Sequence, residues 1–268
     1  MHVSSSGIPR VLIEQLTWPV FQQAIARDPL IIIPVGSTEE HGLHNPLGTD
    51  FYIARALAKA LGERTGALVA PAIPIGNAEG LTDFPGTISI DPAILTELLL
   101  AVCGGFVQHG ARRFFFVNGH GGNNAAIRIA AQDMYRSHGV FSIASEWWQW
   151  MPSISEYQAH DHGGQYETSM MMAVDERLVN LDKAHTVQLD KLTGGIAFDY
   201  GFQYRGVPIG INLPTPIITP NGNFGSPAED ASLEIGEGMF RAYIDYCAGL
   251  IDTLRAVSVE YTHGGERA

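Results

Sequence analysis

The chain has 268 residues, 46% of them hydrophobic and 16% charged, a globular balance long enough for one large core or two small ones. Its formal net charge is −12, from 28 acidic against 16 basic residues, which argues against a nucleic-acid partner and suits bound cations. No apolar run reaches the roughly 18 residues of a membrane span, and "MHVSSSGIPRVLIEQL" lacks the basic start and apolar stretch of a secretion signal. Cys103 and Cys247 lie in apolar, helix-like stretches outside any CxxC pair, so a soluble cytoplasmic protein with two buried free thiols is expected.

In chain order, residues 17–27 read as a helix with Thr17 as cap and Pro19 in the first turn. "LIIIPVG", 30–36, is a short buried strand. Residues 49–66 form an amphipathic helix with Ile53, Leu57 and Leu61 on one face and Gly66 at its end. "ALVAPAIPIG" is a second strand, followed by a helix at 91–110 capped by Asp91. "RRFFFVNG" is a third strand, 123–139 a helix and "VFSIAS" a fourth strand. Two further helices cover "ETSMMMAVDERL" and the stretch 230–257. Residues 185–226 are rich in Gly, Pro and Asn and read as long loops near a site or an interface. Strands that are continuous apolar runs, alternating with helices, predict one α/β domain: a mainly parallel central sheet flanked by helices on both faces.

Ligands of such sheets bind beyond the carboxyl ends of the strands. Two strand ends here carry similar cargo. Glu39, Glu40, His41, His44 and Asp50 follow "LIIIPVG", and His120 follows "RRFFFVN" inside "NGHGGN". Side chains at Glu39 and His41, two apart in extended chain, point the same way. Asp50 begins a helix, where its N-terminus favours a carboxylate, and its two oxygens can bridge two metals. Carboxylate with imidazole suits zinc, manganese or iron. A third cluster, "HDHGGQYETS", holds His160, Asp161, His162 and Glu167, just after the aromatic run containing Trp147 and Trp148. These tryptophans, with Asn123, are candidates for the substrate pocket. His2, His109, His138, His185 and His263 read as idle loop histidines. Glu40 and His44 are open between support of the ligands and solvent. "GHGG" is a weak dinucleotide signal, since the third glycine of GxGxxG falls on Asn124. No GxSxG is present.

"GSTEEHGLHNPLGTD", "FPGTISI", "HGARRFFFVNGHGGN" and "HGGQYETS" together resemble the creatininase (creatinine amidohydrolase) family in order and spacing. The resemblance implies a two-metal amidohydrolase with a parallel-sheet α/β fold, assembled as a homo-oligomer, often a hexamer. By motif, Glu39 binds one ion, His41 the other, Asp50 bridges them, His120 is a further ligand, and His162 is the acid/base residue. Creatininase itself has a metal-binding glutamate where this chain has Gly122, an aromatic residue at Gly121, and tryptophan and aspartate at Gln158 and Ala159. The creatinine pocket is therefore not reproduced. The "NGHGGN" form looks like the branch holding formamide hydrolases and ring-opening hydrolases. Glu167 can fill the vacated ligand position or act as base. The implied chemistry is attack of a metal-activated water on a small cyclic amide, formamide or related carbonyl compound, with His162 or Glu167 protonating the leaving group. A ring-opening C–C hydrolase or an isomerase on the same scaffold is the alternative.

Overall fold

The computed structural model describes residues 10–188, 191–192, 195–198, 201–211 and 213–257; His2 and His263 lie outside them. Helix α1 (Trp18–Arg27) leads into β1 (Leu30–Val35), α2 (Thr49–Thr65), β2 (Leu68–Val69), α3 (Pro92–Gln108), β3 (Arg113–Asn118), α4 (Asn124–His138) and β4 (Phe141–Glu146). The four strands form one all-parallel sheet in the order β2-β1-β3-β4. Leu30, Ile32, Phe115 and Val117 face one core, with α2 and α8 (Leu233–Ala256), while Ile31, Ile33, Phe114 and Phe116 face the other, with α3 and α4. Burial on both faces is why these strands are unbroken runs of hydrocarbon rather than alternating ones.

After β4 come α5 (Trp147–Ile154) and α6 (Gln165–Asp175). Next are four short strands, β5 (Lys191–Leu192), β6 (Ile196–Phe198), β7 (Phe202–Tyr204) and β8 (Val207–Ile209), then the short α7 (Thr215–Ile218) and the long α8 (Leu233–Ala256). Strands β5 to β8 make an antiparallel meander. The stretch 185–226, expected as loops, therefore contains a second sheet, built from strands too short to show a period.

The second expected strand is shorter than read. Only Leu68 and Val69 form a continuous ladder with β1. Pro71 and Pro74 interrupt the remainder, since proline has no N–H for a ladder, and the segment continues as single bridges from Ile73 to Val35 and from Gly76 to Ser89. Helix α3 starts as expected, with the Asp91 carboxylate accepting from the Ala93 N–H at 2.7 Å. Cys103 and Cys247 are buried and free.

The register sets up the site. Val35 and Asn118 are paired neighbours, so the loops after β1 and β3 leave the sheet side by side. Both lie against the first turn of α2. A Cβ on Gly119 would stand 2.4 Å from the Asp50 carbonyl oxygen. Glycine there lets strand end and helix start touch, which brings Asp50 between the two loops.

Candidate metal centre

Three elements converge beyond the strand ends. The β1–α2 segment supplies Glu39 and His41, the first turn of α2 supplies Asp50, and the β3–α4 loop supplies His120. The loop into α6 and its first turn add His162 and Glu167. The segment after β1 is held by the "FPGTISI" motif, through a Thr38–Ile88 bridge and a 3.0 Å bond from the Glu40 N–H to Thr87 Oγ1. Glu39, His41 and Asp50 are almost completely buried.

Asp50 divides the cluster in two. Its Oδ1 is 3.0 Å from His41 Nε2, which is also 3.4 Å from Glu167 Oε2. Its Oδ2 is 3.5 Å from His120 Nδ1, which is also 2.9 Å from Glu39 Oε1. Ligand atoms of Glu39, Asp50 and His120 lie within 4.8 Å of one another, as do those of His41, Asp50 and Glu167. A third such group is Glu39, His41 and His162, with His162 Nδ1 3.9 Å from Glu39 Oε1.

Each imidazole is anchored through one nitrogen to a backbone carbonyl. His120 Nε2 donates to Asn77 O at 2.7 Å, His41 Nδ1 to Glu39 O at 3.2 Å, and His162 Nε2 to Glu40 O at 2.9 Å. That fixes the tautomer and aims the other nitrogen, lone pair outward, at the acid cluster; metal-binding histidines are held in this way. Both oxygens of Glu39 and Oδ2 of Asp50 are buried and accept no aligned hydrogen bond. Buried carboxylate oxygens without donors are costly, and divalent cations supply the missing positive charge. The donor set fits such ions.

Burial opposes ionisation of Glu39, yet the neighbouring His120, His41 and His162 outweigh it and hold the carboxyl down to about 2. Burial and the Glu39 charge push Asp50 up to about 7, against the pull of His41 and His120. Burial would lower His120, but Glu39 and Asp50 raise it to about 9. Protons on the imidazoles and cations between the carboxylates are alternative ways of balancing the same charge.

His162 is clamped. Its ring stacks on Phe224 with centroids 5.1 Å apart, and lies 4.3 Å from the His41 ring on the other side. Its Nε2 also lies 3.1 Å from Glu40 Oε1. Glu40 and His44, left open by the sequence, are both buried supports. His44 Nε2 meets Thr168 Oγ1 of α6 at 2.8 Å, and burial lowers its pKa to about 4, so it is neutral.

A cavity of about 30 Å³ lies among Asp50, His120, Gly121, Trp148, His162 and Glu167. Of the expected pocket residues it takes in Trp148 alone. Trp147 is packed in the core at 1% exposure, because it begins α5 on the face turned to the sheet. Asn123 is also fully buried. Its side chain donates to Gly36 O at 3.1 Å and accepts from the Asn77 N–H at 3.1 Å, tying three loops together beneath the site. His109, His138 and His185 are exposed, as read.

Gly122 has a physical cause. A Cβ there would stand 1.9 Å from Asn77 O and 2.5 Å from His120 Nε2. The bond that anchors His120 occupies the space a side chain would need. The Glu167 carboxylate instead reaches the cluster from α6, where it also accepts from the Gly163 N–H at 2.6 Å.

Sequence reading missed Asn77, whose carbonyl orients His120, and named Asp161 in a cluster without giving it a role. Asp161 accepts from the Tyr166 and Glu167 N–H groups at 2.8 and 3.2 Å, capping α6 so that Glu167 is held in place. A carbonyl leaves no signature in residue identity. Asp161 was visible as an acid ahead of a helix.

The fold and this centre define a class. The family pattern described as creatininase, creatinine amidohydrolase, matches residues 14–251. The chain belongs to the creatininase family and is a metal-binding hydrolase. It is 33% identical over 237 residues to a mycofactocin precursor peptide peptidase of Mycolicibacterium smegmatis, covering 83% of this chain and 84% of that protein. It is 31% identical over 196 residues to a creatinine amidohydrolase of Pseudomonas putida, covering 65% and 75%. A match of 30% identity to a 3-dehydro-scyllo-inosose hydrolase of Thermotoga maritima spans 61% of this chain and 52% of that protein. Among solved structures, one described as creatininase Mn aligns with a TM-score of 0.72 at 27% identity over 91% of this chain and 98% of that one. A creatininase mutant of Zn-Zn type aligns with the same score and coverage.

Proposed function

We propose that the chain hydrolyses a C–N bond in an amide, using two divalent cations in half-sites that share Asp50. Glu39, His120 and Asp50 would hold one ion, and His41, Glu167 and Asp50 the other. The observation that carries this reading is the split of Asp50 between two triads, each with a carbonyl-anchored imidazole. Bound there, zinc, manganese or iron would lower the pKa of a water and polarise a carbonyl. Glu167 takes the ligand role that Gly122 cannot. His162 presents Nδ1 to the same space, while the Glu40 contacts at Nε2 hold its ring in orientation. It is placed to carry a proton between the attacking water and the leaving nitrogen. Creatinine amidohydrolase and peptide peptidase are both names of C–N hydrolases, and this chain covers most of each.

The test loads the purified protein with each metal and assays a panel of formamides, cyclic amides and short peptides for amine release. Metal content is measured in parallel by plasma emission. Asp50→Ala is expected to lose both ions and all turnover. Full metal content in that variant would overturn the shared-ligand assignment. Turnover of a cyclic ketone without amine release would favour the ring-opening alternative, whose named relative matches over a shorter span.

A further inference from the structure

The cavity between the ligands is small, about 30 Å³, whereas sites that enclose a small-molecule ligand run to roughly 300–1,000 Å³. The body of a substrate therefore extends beyond it. The body has an evident place. A groove of about 910 Å³ runs between α4 and β4, and Gly121 lines both the groove and the metal cavity. Gly121 therefore stands between one end of the groove and the reacting centre.

The groove has the construction of a strand site. Strand β4 is an edge of the parallel sheet, and among the described residues no strand pairs with its outer side. The Phe141 N–H donates to Arg112 O of the β3 side. In a parallel ladder alternate residues bond to opposite sides, so Ser142, Ala144 and Glu146 direct their N–H and C=O groups outward. All three line the groove, as does Phe141, whereas Ile143 and Ser145 do not; the side chains of Ser142 and Ala144 share the α4 face of the sheet with Phe114 and Phe116. The opposite wall is one face of α4: Arg128, Ala131, Gln132, Tyr135 and Arg136 recur at helical spacing. Arg128 is exposed and has no ion-pair partner among the described residues. Arg136 is exposed, with Asp133 at 3.7 Å.

We infer that the substrate is an extended, acidic peptide that lies along the open edge of β4 in this groove, with only its reacting amide reaching the metal cavity past Gly121. This rests on the hydrolase reading above and narrows it. Six residues of β4 span roughly 20 Å, enough to pair with five or six residues of peptide. Outward backbone groups give affinity without side-chain specificity, and the two arginines on α4 select carboxylates. In the reaction the water oxygen bonds to the carbonyl carbon, the C–N bond breaks, and the water proton leaves on the amine nitrogen.

The test compares an acetylated, amidated hexapeptide of alternating glutamate and alanine with the corresponding dipeptide and with a lysine-for-glutamate hexapeptide. All are assayed on metal-loaded protein. The glutamate hexapeptide is expected to exceed the dipeptide in kcat/KM by at least about tenfold, the yield of two added backbone hydrogen bonds. Arg128→Glu is expected to cut the preference for the glutamate over the lysine peptide by about threefold or more, the scale of an exposed ion pair. Ala131→Phe, a helix-compatible change that fills the groove, is expected to collapse the hexapeptide-to-dipeptide ratio toward one. Its melting temperature and molar mass by light scattering are recorded alongside. Equal kcat/KM for all three peptides, or an unchanged ratio in Ala131→Phe at wild-type stability, overturns the inference. So does a fall in molar mass with the ratio unchanged, which would make the groove a contact between copies. Hydrolysis of small amides with no hydrolysis of peptides overturns this inference but spares the proposed function. No amide hydrolysis at full metal loading overturns both.

Discussion

At the scale of single residues, the centre is organised by which nitrogen of each histidine is already engaged. His120, His41 and His162 each have one nitrogen on a carbonyl, so their chemistry is fixed before any ion or substrate arrives. His162→Ala is expected to keep both metals and lose about 10²- to 10⁴-fold in turnover, the range for removing a general acid or base. Loss of metal in that variant would move His162 among the ligands. Gly122→Glu is expected to abolish His120 anchoring rather than add a ligand, because its Cβ cannot fit beside the Asn77 carbonyl. Metal content at or above wild type in that variant would refute the steric argument. Glu167→Gln is expected to release the ion beside His41 while the ion beside Glu39 remains, read as half the wild-type metal content.

At the scale of elements, α6 is the means by which a further carboxylate joins ligand candidates Glu39, His41, Asp50 and His120 from the first half of the chain. Its first turn is held by Asp161, which also accepts from Ser226 Oγ. Asp161→Ala is expected to cost about 1–2 kcal/mol, the scale of a lost helix cap, measured by denaturant unfolding. No change in stability would remove the capping role. Helix α3 carries Cys103, whose thiol burial pushes up to about 12, and burial does the same for Cys247 in α8. Both are protonated at pH 8, so neither is expected to react with a thiol reagent until the chain unfolds. The parallel sheet was legible because its strands are buried on both faces and contain little but hydrocarbon. Glu39, His41, Asp50 and His120 were legible because strand ends in such sheets share one edge. The meander at 191–209 was not legible, since three-residue strands show no alternation. Trp147 was misplaced because an aromatic run has the same composition whether it lines a cavity or begins a packed helix. Asn123 was misplaced for a related reason: loop position does not reveal that an amide is buried among backbone groups.

At the scale of the whole molecule, among the described residues no helix is long and apolar enough to cross a membrane. Ile94 and Leu98, one turn apart on α3, are nevertheless exposed, at 60% and 40%. Such apolar surface fits contact between copies, in keeping with the homo-oligomer expected from the sequence resemblance. Light scattering is expected to give a multiple of the chain mass, with six copies the expectation from that resemblance; a single-copy mass would end it. Chelation is expected to lower the melting temperature, because ions that bind only the folded state stabilise it by about 2.7 kcal/mol at a hundredfold excess over Kd. An unchanged transition after verified metal removal would exclude that coupling. The late position of Glu167 has a further consequence for biosynthesis. On the proposed ligand assignment, a nascent chain that has emerged only as far as β4 owns one complete cation-binding triad and two of the three ligands of the other, with Asp50 common to both. The centre would then mature in two stages, the second ion being captured only after translation delivers α6, so a chain stalled between them should leave the ribosome half-metallated.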